Sequence, residues 1–195
     1  MFEQHDNYLA TLPDELDRES VRAACADAAA DPEAAEKAFI VAMVWGYGTV
    51  GYGPWRVRRI LTQNRAAARK LHAVATTLLG EGAATAYAQF SEYGGCRLRF
   101  LGPAFGTKYL AFCGPNAQPA PLILDRLVAA WLSANVNATF DSISWRPKTY
   151  GRYLDQMSHW SRSLDVRPDE LECRIFTAQA DLGQNQWRSP VPIPG

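Results

Sequence analysis

The eleven residues WGYGTVGYGPW, Trp45 to Trp55, hold four glycines and one proline. Glycine loses the most backbone freedom in a regular element and proline lacks the backbone donor, so no helix or strand is expected to run through them. The chain on either side has a helical period. Upstream, DRESVRAACADAAA is an Ala-rich helical stretch that ends at Asp31-Pro32. Asp31 then reads as an N-cap, Pro32 as the first helical residue, and Glu33 as an acid suited to the positive end of a helix. From there Phe39, Ile40, Met43 and Val44 recur at helical spacing until the glycines begin.

Downstream, RVRRILTQNRAAARKLHAVATTLLG reads as one or two helices ending at Gly80, and AATAYAQFSEYGG as another closed by Gly94-Gly95. A helix is expected from about Thr107 to Phe112, then a Pro-rich connector, GPNAQPAP. LILDRLVAAWLSAN carries Leu124, Leu127, Val128 and Trp131 on one face. TYGRYLDQMSHWSRSL and RPDELECRIFTAQADL give two more helices, and the tail RSPVPIPG reads as extended. Few segments alternate with strand period, so the fold class is all-α, a compact helical bundle in one domain over residues 1–195.

Of the 195 residues, 48% are apolar, enough for a sizeable core. The longest apolar run, AFIVAMVWG, is too short to span a membrane, and the acidic N-terminus lacks a signal pattern. A soluble, cytoplasmic, monomeric protein is expected. Cys25, Cys96, Cys113 and Cys173 are scattered without a CxxC pair, which points to reduced thiols in helix packing rather than a metal or iron–sulfur site. The formal net charge is zero, which excludes a generally basic coat. The charge is nevertheless uneven. Arg56, Arg58, Arg59, Arg65, Arg69 and Lys70 crowd one segment, Arg97, Arg99, Lys108 and Arg126 a second, and the acids gather near the N-terminus.

The stretch LGPAFGTKYLAF, residues 101–112, sets a single lysine, Lys108, between a turn and an apolar segment. A helix start and burial against Phe105, Leu110 and Leu122 would both disfavour the ammonium, and a neutral amine is a nucleophile. Beyond the connector, Asp125 in PLILDRLVAAWL precedes or begins a helix. If the connector folds back, Lys108 and Asp125 face each other across one cleft, where a carboxylate could stabilise positive charge or position the amine. The plainer alternatives are a surface lysine at a turn and an ordinary helix cap.

A glycine-containing hairpin, a lysine at a helix start and an apolar-Asp-apolar segment together resemble the helix–hairpin–helix superfamily of DNA glycosylases. The 8-oxoguanine DNA glycosylase branch is the nearest likeness, in a compact bacterial form. The likeness covers roughly residues 38 to 135, with the helix–hairpin–helix at about 95–113. The hairpin departs from the usual Leu-Pro-Gly-hydrophobic-Gly order: it reads Leu101-Gly102-Pro103-Ala104-Phe105-Gly106. The resemblance implies a double-stranded DNA substrate with a damaged or modified base, flipped out of the stack. It implies Lys108 as the Schiff-base nucleophile, Asp125 as its partner, and β-elimination without metal or redox cofactor. Gly102, Gly106 and Thr107, with Arg56 and Arg126, would then contact DNA, and the protein would be nucleoid-associated when acting.

A flipped purine needs flat apolar walls. Trp45, Tyr47, Tyr52, Trp55 and Phe105 are candidates, with Trp145, Tyr150 and Tyr153 closing the pocket from the C-terminal side. For any one of them core packing is the competing role. Two other functions remain open at this point: excision of an alkylated or hypermodified base by the same lysine chemistry, and a noncatalytic helix–hairpin–helix DNA-binding module.

Overall fold

The computed structural model describes residues 8–13, 15–48, 51–136 and 138–188. Nine helices lie among them, and no strand: α1 (Arg18–Ala24), α2 (Pro32–Tyr47), α3 (Gly53–Gln63), α4 (Ala67–Glu81), α5 (Ala83–Gln89), α6 (Pro103–Cys113), α7 (Arg126–Asn135), α8 (Pro147–Leu164) and α9 (Pro168–Arg188).

Sequence character decides where each helix sits. In α2 the consecutive residues Ala38 to Met43 are all buried, and α6 is apolar on nearly every side. Helices without a polar face belong in the interior. Accordingly α2 packs mainly against α4 and α6, and also touches α1 and α3. The amphipathic helices α3 and α8 instead bury one stripe each, Val57, Ile60 and Leu61 in α3 and Tyr150, Tyr153, Leu154 and Met157 in α8. Helix α9 lies against α7 and α8. Asp31 caps α2 through Ala34 N at 2.9 Å, with Pro32 in the first turn.

Three boundaries differ from the sequence expectation. Helix α5 ends at Gln89 because the chain turns back sharply: Cys96 N donates to Gln89 O, and a Cβ on Gly94 would lie 2.0 Å from Ala88 O. Helix α6 begins at Pro103, four residues before Thr107, so Lys108 sits in its second turn. Helix α7 begins only at Arg126. The residues before it, Leu122 to Leu124, are buried but not helical. The expected extended tail lies outside the described residues from 189 on.

Buried backbone that forms no regular element must find other partners. Here they are side chains from three helices. Tyr150 Oη donates to Leu122 O at 2.9 Å and accepts from Leu122 N at 3.3 Å. Tyr153 Oη donates to Ile123 O at 2.8 Å. Glu172 Oε2 accepts from Ile123 N at 3.2 Å, and Thr107 Oγ1 from Leu124 N at 3.1 Å. Burial pushes both tyrosine phenols well above their ordinary range, so both remain donors. This clamp delivers the next residue, Asp125, to a defined place.

Candidate active site

Lys108 and Asp125 meet. Lys108 Nζ lies 3.4 Å from Asp125 Oδ2, and the two side chains keep only 9% and 16% of their exposure. The other carboxylate oxygen, Oδ1, accepts from Leu127 N at 3.0 Å and Val128 N at 3.1 Å. One carboxyl group thus caps α7 and faces the lysine, which unites the two roles that the sequence left open. The lysine owes its position to packing. A Cβ on Gly46 of α2 would stand 2.8 Å from Lys108 Cδ and 3.0 Å from Phe105 Cε1. Only glycine leaves the stem that passage. The helix-start argument does not carry over, because the dipole effect fades within the first turn and Lys108 lies in the second.

The pair lines a cavity of about 390 Å³, within the range of small-molecule sites. Trp45 forms a flat wall, held edge-on by Phe112 at a centroid distance of 4.9 Å. Phe176, Cys173 and Thr177 of α9 complete the rim. A second ion pair shares the cavity. Arg18 Nη2 donates to Glu172 Oε1 at 2.7 Å and Nη1 to Oε2 at 3.3 Å. Glu172 is 1% exposed, and Arg18 stands over the Trp45 ring, 5.4 Å from its centroid. Burial raises the Glu172 pKa, and Arg18 opposes that rise.

Arg18, Glu172, Cys173, Phe176 and Thr177 are absent from the sequence-based site. Glu172 left one trace: it interrupts the stripe formed by Leu171 and Ile175, both buried. A charge on an apolar face signals a buried partner.

Of the sequence-based pocket residues, Trp45 lines this cavity. Phe105 stands beside it, its ring 5.4 Å from Lys108 Nζ and stacked on Tyr47 at 4.2 Å. The others are elsewhere. Trp145 packs against Tyr87 and Phe90, and Tyr150 and Tyr153 are fully buried clamps. Tyr52 and Trp55 are 49% and 48% exposed on the outer surface. His159 is exposed on α8, away from the pair.

The expected DNA contacts also divide. Gly106 is buried with its N–H bonded to Gly102 O, and a Cβ there would lie 2.4 Å from Trp145 Cη2. Its glycine identity answers to packing. Thr107 is fully buried in the clamp. The first turn of α6 has no side-chain cap, and Pro103 has no N–H. The amides without an intrahelical acceptor are therefore those of Gly102, Ala104 and Phe105. Arg126 is exposed at the start of α7.

A basic surface flanks that helix start. Phe100, at φ 73°, carries the guanidinium carbons of Arg59, Arg99 and Arg56 at 3.9, 4.7 and 5.9 Å from its ring centroid. Arg56 Nε donates to Phe100 O at 3.1 Å, and its Nη1 to Tyr52 Oη at 3.1 Å. Asn64 pairs with both backbone groups of Arg99, at 2.7 and 3.0 Å, and Lys70 Nζ donates to Arg97 O. The turn before α6 is thus tied to α3 and α4 by polar side chains. Among the described residues, no three His, Cys, Asp or Glu side chains converge as a metal-ligand set, and no helix is long and apolar enough to cross a membrane.

Comparison with known proteins gives one family. The model of the family described as "Putative 8-oxoguanine DNA glycosylase OGG-like protein" matches residues 3–176. No curated protein and no solved structure matches the chain.

Proposed function

Because the chain belongs to the 8-oxoguanine DNA glycosylase OGG-like family, we propose that it excises an oxidised purine, 8-oxoguanine, from double-stranded DNA and then nicks the strand as a lyase. The observation that carries this reading is the buried Lys108–Asp125 pair, 3.4 Å apart in a cavity with an aromatic wall.

The target nucleotide leaves the stack and its base enters along Trp45. Lys108 Nζ, having given a proton to the departing base, attacks the sugar C1′ as the glycosidic bond breaks. The bond electrons leave with the base. Asp125 stabilises the positive charge that develops on the sugar. Ring opening gives a Schiff base between Nζ and C1′. Loss of a C2′ proton then expels the 3′ phosphate, and hydrolysis regenerates the amine.

The turn between α5 and α6 acts as the hairpin, and the amides of Gly102, Ala104 and Phe105 take a DNA phosphate. Arg56, Arg59 and Arg99 hold the neighbouring backbone, while Tyr52 and Trp55 lie against the duplex beside the flipped nucleotide.

The test is incubation of the protein with a duplex holding one 8-oxoguanine, with free base and strand products separated by chromatography. Release of 8-oxoguanine with a β-elimination product is expected. An intact duplex at enzyme excess would overturn the substrate, and free base without strand scission would overturn the lyase step.

A further inference from the structure

Two ion pairs share one cavity, and the proposed chemistry uses only Lys108–Asp125. The second, Arg18–Glu172, joins α1 to α9 across the cavity wall, 154 residues apart in the chain. Its two members are not equivalent. The Glu172 carboxylate is 1% exposed and fully engaged, accepting from both terminal nitrogens of Arg18 and from Ile123 N. The Arg18 side chain keeps 24% of its exposure and lines the cavity. A guanidinium has five N–H donors and no acceptor. Glu172 takes two of them and fixes the plane of the fork, which borders both this cavity and a neighbouring one of about 410 Å³. The fork stands over Trp45, the wall along which a planar ligand would lie.

We propose that Arg18 selects the base, donating to a carbonyl on the six-membered ring of a purine, with Glu172 as the residue that positions it. This rests on the glycosylase reading and deepens it. A group that only donates accepts a 6-oxo purine and rejects a 6-amino purine, because the amino group would set donor against donor. A site whose buried polar groups must be paired discriminates more strongly than an apolar slot of the same shape. If the pair only tied α1 to α9, selectivity between two bases would not depend on it.

The test compares 8-oxohypoxanthine with 8-oxoadenine, which differ at the 6-position, each placed in the same duplex and followed in single turnovers. Wild-type protein is expected to release the 6-oxo base about ten- to a hundredfold faster. A ratio near one overturns the proposal. The double variant Arg18→Gln/Glu172→Gln avoids a lone buried charge, and its amide can both donate and accept. Its ratio is expected to fall toward one while borohydride trapping on an abasic-site duplex, which holds no base, continues. An unchanged ratio overturns the proposal. Should the double variant fail to fold, Arg18→Lys keeps Glu172 paired but loses the planar fork. Its ratio is then expected to drop several-fold, and an unchanged one overturns the proposal. If wild-type protein releases neither base, the glycosylase reading itself has failed and the proposal falls with it; release of base without trapping overturns only the lyase step.

Discussion

The cleft and the outer surface beside it are both charged and aromatic, yet they are held in opposite ways. In the cleft each charge is buried or largely so, paired within 3.4 Å, and the Lys108 stem passes Gly46 where a Cβ would not fit. On the outer surface Arg56, Arg59 and Arg99 gather around one ring, Phe100, and Tyr52 and Trp55 stand half in solvent. Burial makes the first region exact and intolerant of change, as reactive chemistry requires. Exposure leaves the second adaptable and screened by salt, as a surface for a phosphate backbone should be. Substitutions in the two regions should therefore fail differently.

The largest effect is expected at Lys108. Lys108→Ala should lower strand scission by a thousandfold or more, on the order of the loss of a covalent nucleophile, while duplex binding in a gel-shift assay persists. Asp125→Asn comes next. Asparagine still caps α7 but leaves the buried Lys108 without its countercharge, so the thermal midpoint should fall, while single-turnover excision drops further, by about 10² to 10⁴. Excision that stays near the wild-type rate would mean that Asp125 acts only as a cap.

Thr107→Val tests the clamp. It strands Leu124 N in the interior, and urea unfolding should show a loss of about 1–3 kcal/mol. On the outer surface, Arg56→Gln should weaken binding evenly across sequences and reduce the slope of log affinity against log salt by about 1. A change in base preference instead would place Arg56 in the pocket.

The smallest effect lies away from both regions. Burial works to raise the Asp169 pKa, but hydrogen bonds from Arg167 and Arg22 outweigh it and hold the group at about 2. A carboxyl held below its ordinary value of 3.8 adds stability that is fully present above that pH and is lost as pH falls toward 2. With solvent screening this amounts to about 1 kcal/mol. Urea midpoints at pH 6 and pH 3 should converge for Asp169→Asn relative to wild type.

The sequence carried the fold in its glycine and proline punctuation and in its helical periods, which placed α2, α8 and α9 closely. It also carried the pairing of Lys108 with Asp125, because a charge set in apolar surroundings at each end of a short connector has few places to go. It could not carry Arg18 with Glu172. Glu172 breaks an apolar stripe without showing which residue answers it, Arg18 looks locally like the polar face of a surface helix, and only the tertiary fold joins them. Nor could it sort the aromatics. Trp45, Tyr52, Trp145 and Tyr150 are alike as types, and which one lines the Lys108 cavity depends on the tertiary fold. Thr107 beside Lys108 and Gly106 before it looked like hairpin residues aimed at DNA. Both are buried, because α6 begins at Pro103 and carries them past its partly exposed first turn.

The central claim is that Lys108 forms a covalent link to the sugar. The most direct measurement is borohydride reduction of the protein on an abasic-site duplex, followed by proteolysis and mass spectrometry of the cross-linked peptide. The account predicts one adduct, on the peptide holding Lys108, and none in Lys108→Ala. An adduct on another amine, or undiminished trapping by the variant, would contradict it.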